Sequence, residues 1–95
     1  MKIFVWDTDK NEKLKKERGV SFESAIEAIS AEQVVDDFPH PNKKKYPNQR
    51  IMVVIIDGYA YLIPYADDGK KYVFKTIIPS RKAQKKYINK KKEDV

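Results

Sequence analysis

A chain of 95 residues in which 41% of the side chains are hydrophobic holds enough material for one domain around one core. It contains no cysteine, which excludes disulfides, thiolate metal centres and cysteine nucleophiles. Twenty lysines and arginines oppose fourteen acidic residues, and the resulting formal charge of +6 favours polyanionic partners.

The N-terminus predicts a short apolar strand over residues 2–6. It turns polar at Asp7, too early for a signal segment or a membrane span, so a cytoplasmic protein that avoids membranes is expected. Asp7 or Thr8 then caps a helix over 9–18. Its interior is charged apart from Leu14 and leans on pairing of Glu12 with Lys16. Gly19 supplies the stop. Ser21 caps a second helix over 22–30, where Phe22, Ala25, Ile26 and Ile29 recur at helical spacing and form a face that meets a sheet.

Gln33, Val34 and Val35 read as a short strand. Asp36 through Pro47, punctuated by Pro39 and Pro41 and carrying Lys43, Lys44 and Lys45, reads as a loop. The continuous apolar run after Arg50 predicts a central strand over 50–56, buried on both faces. Asp57-Gly58 suits a two-residue turn with positive φ, so 59–64 returns antiparallel. Asp67-Asp68-Gly69 turns the chain again, and 72–78 forms the third strand. Ser80 caps a terminal helix over 81–91, and 89–95 forms a basic, flexible tail. The order is strand, two helices, a three- to four-stranded antiparallel meander and a helix: a single α+β domain over 1–95.

Glycine-rich phosphate loops and nucleophile elbows are absent from the sequence. Asp36, Asp37 and His40 form the one cluster of acids with a histidine. In a loop they lack the regular spacing that aligns metal ligands, so neither a metal nor a cofactor is expected. Metal-free RNA cleavage draws on other groups. The 2′-hydroxyl attacks the adjacent phosphorus, and the protein supplies a base, an acid for the departing 5′-oxygen and cations for the phosphate. Arg50, Arg81 and His40 are the catalytic candidates. Arg81 stands first, because a guanidinium beside a helix start can grip phosphate with two prongs. Lys75, Lys82, Lys85 and Lys86 are candidates for holding RNA, and Lys90, Lys91 and Lys92 for a nonspecific tail. Tyr59, Tyr61 and Tyr72 have strand spacing and fit cross-strand packing.

Two segments also carry a resemblance. Trp6-Asp7, Lys10-Asn11, Leu14 and Gly19-Val20-Ser21-Phe22-Glu23 open the chain, and Ile77-Ile78-Pro79-Ser80-Arg81-Lys82-Ala83 comes near its end. In order and spacing they resemble the BrnT-type toxins of bacterial type II toxin–antitoxin pairs. That resemblance implies a RelE-like fold and an endoribonuclease that inhibits translation. It also implies a cognate antitoxin, of ribbon-helix-helix type, through which operator DNA is reached only indirectly. Arg50, Arg81 and His40 match basic positions of that family. Ile56, Thr76 and Pro79 depart from its pattern. A rival reading, a non-catalytic module that binds RNA or a protein partner on the same scaffold, needs only the lysines.

Overall fold

A computed structural model describes residues 3–88, so the expected tail over 89–95, with Lys90, Lys91 and Lys92, lies outside the described residues. The elements are β1 (Ile3–Val5), α1 (Thr8–Arg18), α2 (Phe22–Ser30), β2 (Val34–Pro39), β3 (Gln49–Ile56), β4 (Tyr59–Asp67), β5 (Lys71–Phe74), β6 (Ile78–Pro79) and α3 (Arg81–Ala83), which continues as a π-helical segment over Gln84–Ile88. The chain is an α+β domain. Its mixed sheet has the order β1-β5-β4-β3-β2, with β6 also beside β4, and β1 runs parallel to β5 while the other pairs are antiparallel.

A side-chain cap starts each of the opening helices. The Asp7 carboxylate accepts the N–H groups of Asp9 and Lys10. Gly19 ends α1 in the left-handed region at φ 68°, its N–H donating to the Lys15 carbonyl. The Ser21 hydroxyl then accepts the Ser24 N–H to start α2. Asn11 ties the corner together. Only 3% exposed, it accepts the Phe22 N–H at 2.7 Å and donates to Glu23 at 2.6 Å, so a buried amide satisfies an orphan donor of the second helix. On α1 the expected Glu12–Lys16 pair is instead Glu12–Lys15 at 3.2 Å, a surface contact of small value.

The helix pair covers one face of the sheet. Phe22, Ala25 and Leu14 pack against Met52, Val54, Ile56, Ile63, Tyr65 and Phe74, with Phe4 and Trp6 at the side of the cluster. Phe22 lies 5.7 Å from Trp6 and 5.6 Å from Phe74, ring centre to ring centre, within the range of favourable aromatic pairs. On the opposite face Val53 and Ala60 form a second cluster with Ala83 of the terminal helix, against which Phe38, Ile55, Leu62, Tyr87 and Ile88 pack. The apolar run of β3 is therefore buried from both sides, as its composition requires.

Two sheet features depart from the sequence expectation. Asp36 and Asp37 do not lie in a loop: β2 extends through Pro39, paired with β3 after an irregularity between Val34 and Asp36. Pairing with β3 and the capture of both carboxylates outweigh the low strand propensity of aspartate. The expected strand over 72–78 is likewise two strands. Tyr65 opposes Phe74, but Leu62 opposes Ile78, so one extra residue is accommodated near Thr76 and Ile77. That bulge turns Ile77 into the core, fully buried, where its carbonyl accepts the Arg18 guanidinium. The turn at Asp57-Gly58 forms as read, with φ of 50° and 79°. The terminal helix is α-helical for three residues only and then widens. Within the widened segment, Tyr87 bonds to Asp36 of the edge strand.

Candidate nucleic-acid interface

Strand pleating sorts the candidate residues onto two faces. On the helix-covered face Arg50 stands opposite Tyr65, next to the pair Asp37 and Met52. Its Nε donates to Asp37 Oδ1 at 2.8 Å and its Nη2 to the Asp37 carbonyl at 3.3 Å, while the Tyr65 hydroxyl donates to the second carboxylate oxygen. Burial pushes the Tyr65 hydroxyl well above the ordinary phenol value, and the hydrogen bond to the Asp37 carboxylate adds to the shift. Arg50 thus holds the edge strand to the body of the sheet. Its charge is already matched.

His40 follows β2 at the same end of the sheet. Its Nδ1 accepts the Asn42 N–H at 3.0 Å, which places the proton of the neutral ring on Nε2. The ring leans on Tyr46 with centroids 4.6 Å apart, and Lys45 sits over that same tyrosine at 5.4 Å. In this tautomer Nε2–H can donate a hydrogen bond, and the acceptor nitrogen Nδ1 is occupied.

Arg81 belongs to the other face. Ser80 caps α3 by accepting the Ala83 N–H, and its own N–H donates to the Ala60 carbonyl at 3.1 Å, which fixes the helix start at the turn end of β3 and β4. Gln84 reinforces the attachment by accepting the Ala60 N–H at 2.8 Å. Ala60 opposes Ile55, five residues along β3 from Arg50, or about 17 Å at a strand rise of roughly 3.4 Å per residue. Arg50 and Arg81 therefore lie on opposite faces and toward opposite ends of the sheet. The sequence set Arg50, Arg81 and His40 does not gather at one point. Asp36, Asp37 and His40 do not gather as a metal cluster either, because the pleat sends the two carboxylates to opposite faces and each is held by its own partner.

The face that carries α3 does assemble something. Between the terminal helix and strands β2, β3 and β4 runs a groove of about 510 Å³, floored by Phe38, Ile51, Val53, Leu62 and Ala83. Asp36, Ser80, Lys82, Lys86 and Tyr87 form its polar margin. The Tyr87 hydroxyl donates to Asp36 Oδ2, and the Asp37 N–H donates to Oδ1 at 2.8 Å. These bonds, the tyrosine's first, hold the Asp36 carboxyl below the usual range, with the Lys86 charge assisting, and the same hydrogen bond raises the Tyr87 hydroxyl. Lys86 sits 5.2 Å from the centre of the Tyr87 ring. Lys75 joins this face from the sheet: its N–H donates to the Pro64 carbonyl, which continues the β4–β5 register and sets Lys75 beside the row Phe38, Ile51 and Pro64. Lys82 and Lys85 are exposed on the helix, like Lys86.

Of the residues flagged for RNA, then, Lys75, Lys82 and Lys86 share one face with the groove, and Lys85 rides on the same helix. Tyr59, Tyr61 and Tyr72 pack on the helix-covered face: Tyr59 meets Tyr61 edge-on at 5.6 Å, and Tyr72 meets Phe4 and Tyr65. Sequence reading missed Phe38, Asp36 and Tyr87 as neighbours. A helical spacing of Ala83 and Tyr87 was the available signal for the latter. Nothing local announces that Asp36 will meet a tyrosine 51 positions away.

No family model, curated protein or solved structure matches the chain.

Proposed function

We propose that the protein acts on RNA as the toxin component of a type II toxin–antitoxin pair, a metal-independent endoribonuclease that inhibits translation and is neutralised by a cognate antitoxin. A RelE-like scaffold is part of this reading. The observation that carries the RNA half is a groove with Lys82 and Lys86 at its margin and Lys75 on the same sheet face, on a chain of net charge +6. The toxin and antitoxin half rests on the resemblance of the opening and closing segments. On this reading Arg81, beside Ser80 and Lys82, supplies the phosphate-gripping guanidinium, and Arg50 keeps the fold.

The experiment is incubation of the purified protein, freed of partners, with single-stranded RNA in EDTA. Cleavage that survives the chelator is expected. Arg81→Lys retains the charge but loses the planar fork, so the rate should drop about a hundredfold with binding little changed. Cleavage abolished by EDTA and restored by magnesium would overturn the mechanism.

A second reading is favoured by one specific observation, the separation of Arg50 from Arg81. A domain whose cations do not converge can still hold RNA or a protein partner without cutting. RNA binding that persists with no cleavage under any condition selects this module over the nuclease.

A further inference from the structure

We propose that the groove beneath the terminal helix is a subsite for an unpaired nucleobase, which makes single-stranded RNA the class of nucleic acid this face takes. The inference rests on the RNA reading and deepens it. Lysines alone do not distinguish a strand from a duplex, since both present phosphates. The floor does distinguish them. Phe38, Ile51, Val53 and Leu62 offer a concave apolar surface with an aromatic ring, and a volume of about 510 Å³ lies inside the range typical of sites that enclose small organic groups. A base within a helix keeps its faces stacked on its neighbours and cannot enter. A base in a single strand can turn its face to Phe38.

The margin fits the rest of a nucleotide. Lys82 and Lys86 stand one helical turn apart along the groove, so a strand that dips a base between them brings phosphates to both ammonium groups. Asp36 sits at the margin as an acceptor-only group held ionised by Tyr87 and the Asp37 N–H. It repels phosphate and accepts N–H groups from a base edge. Adenine, cytosine and guanine each present an exocyclic amine; uracil presents only its ring N–H. The subsite therefore favours amino-bearing bases over uracil.

The test measures binding of fluorescein-labelled 12-nucleotide oligo(A), oligo(C) and oligo(U) strands, and of a 12-base-pair RNA duplex, to the full chain in EDTA with non-cleavable 2′-O-methyl sugars. Single strands should bind more tightly than the duplex, with oligo(A) and oligo(C) ahead of oligo(U). Phe38→Ala should weaken oligo(A) about tenfold while leaving the salt slope unchanged, because it removes a stacking surface and no charge. Phe38→Trp, which keeps an aromatic face, should restore affinity, and a thermal melt of each variant confirms folding. Duplex and single strand bound equally, with Phe38→Ala indifferent, would overturn the subsite while leaving RNA binding through the lysine rim intact. No binding of any RNA would instead remove the RNA reading itself. Competition by an acidic amphipathic peptide that leaves oligo(A) bound only through the rim would assign the groove to a protein and also overturn the subsite.

Discussion

The two faces of the sheet are built on different terms. One is covered by α1 and α2, with Phe22, Ala25 and Ile63 wholly buried; there Arg50, Asp37 and Tyr65 bond to one another, and Asn11 bonds to Glu23 and the Phe22 N–H. The other carries the terminal helix, with a groove beside its described residues and Lys82, Lys85 and Lys86 exposed. The segments that most catch the eye in the sequence lie largely on the first face or in its caps. Asp7, Gly19 and Ser21 end or begin helices, Asn11 and Glu23 join them, and Phe22 and Ile77 fill the core. A resemblance carried by such residues speaks first to the fold. The groove and its lysines lie on the other side.

That contrast predicts unequal costs for matched substitutions. Phe22→Ala should lower unfolding free energy by about 4 kcal/mol, because a fully buried ring leaves a cavity, whereas Phe38→Ala, at the half-buried groove floor, should cost about 1 kcal/mol. Urea denaturation of the two variants measures both. Equal losses would mean that the groove face is as tightly packed as the helical one. Asn11→Ala comes next, at about 2–3 kcal/mol by the same titration, since it strands the Phe22 N–H in the buried corner. A loss below half that value would show that water or Ser21 replaces the amide.

Much of this architecture is legible from local chemistry. The helix boundaries follow from Asp7, Gly19 and Ser21, and the hairpin from Asp57-Gly58, because caps and tight turns are decided within four residues. The continuation of β2 past Val35 was not legible, since it depends on Arg50, Tyr65 and Tyr87 arriving from distant positions to hold its two carboxylates. The bulge at Thr76 and Ile77 escaped for the same reason: an apolar run gives no sign of which residue will be the extra one. The candidate site suffered most. Sequence proximity to the meander placed Arg50 and Arg81 in one pool of cations, and only the pleat and the register separate them.

A smaller effect tests the polar network on the helix-covered face through pH. The fold raises the Tyr65 hydroxyl, so its contribution is complete below the unfolded phenol value of about 10 and is lost as pH rises from there through the folded value. Tyr65→Phe should cost about 1 kcal/mol at neutral pH and flatten the alkaline loss of stability. A variant with the same alkaline limb as the parent would remove Tyr65 as its source. The groove face shows the opposite sign. Asp36 is held low, so the latch to Tyr87 is in place above the ordinary carboxyl range and fails as pH falls through the folded value. Tyr87→Phe should lessen that acid sensitivity in thermal melts at stepped pH.

One expected change of similar size is a gain. Glu32 follows α2 in the left-handed region at φ 60°, with the Gln33 N–H closing onto the Ala28 carbonyl and the Glu32 N–H onto Ile29. Glycine adopts that conformation without strain, so Glu32→Gly should stabilise the protein by about 1 kcal/mol in urea titration. It should leave RNA binding unaltered, because the residue belongs to the helical side.

The central claim is that the partner surface is the groove face. The most direct measurement compares two charge-matched double variants, Lys82→Ala with Lys86→Ala on the terminal helix and Lys13→Ala with Lys16→Ala on α1, in RNA affinity across a salt series. All four lysines are exposed, and each pair removes the same charge. The account predicts that the first pair weakens single-stranded RNA binding and lowers the salt slope by about 1.4, at roughly 0.7 per lost phosphate contact, while the second leaves the slope unchanged. Equal losses from both pairs would contradict it, reducing the interaction to net charge with no preferred face.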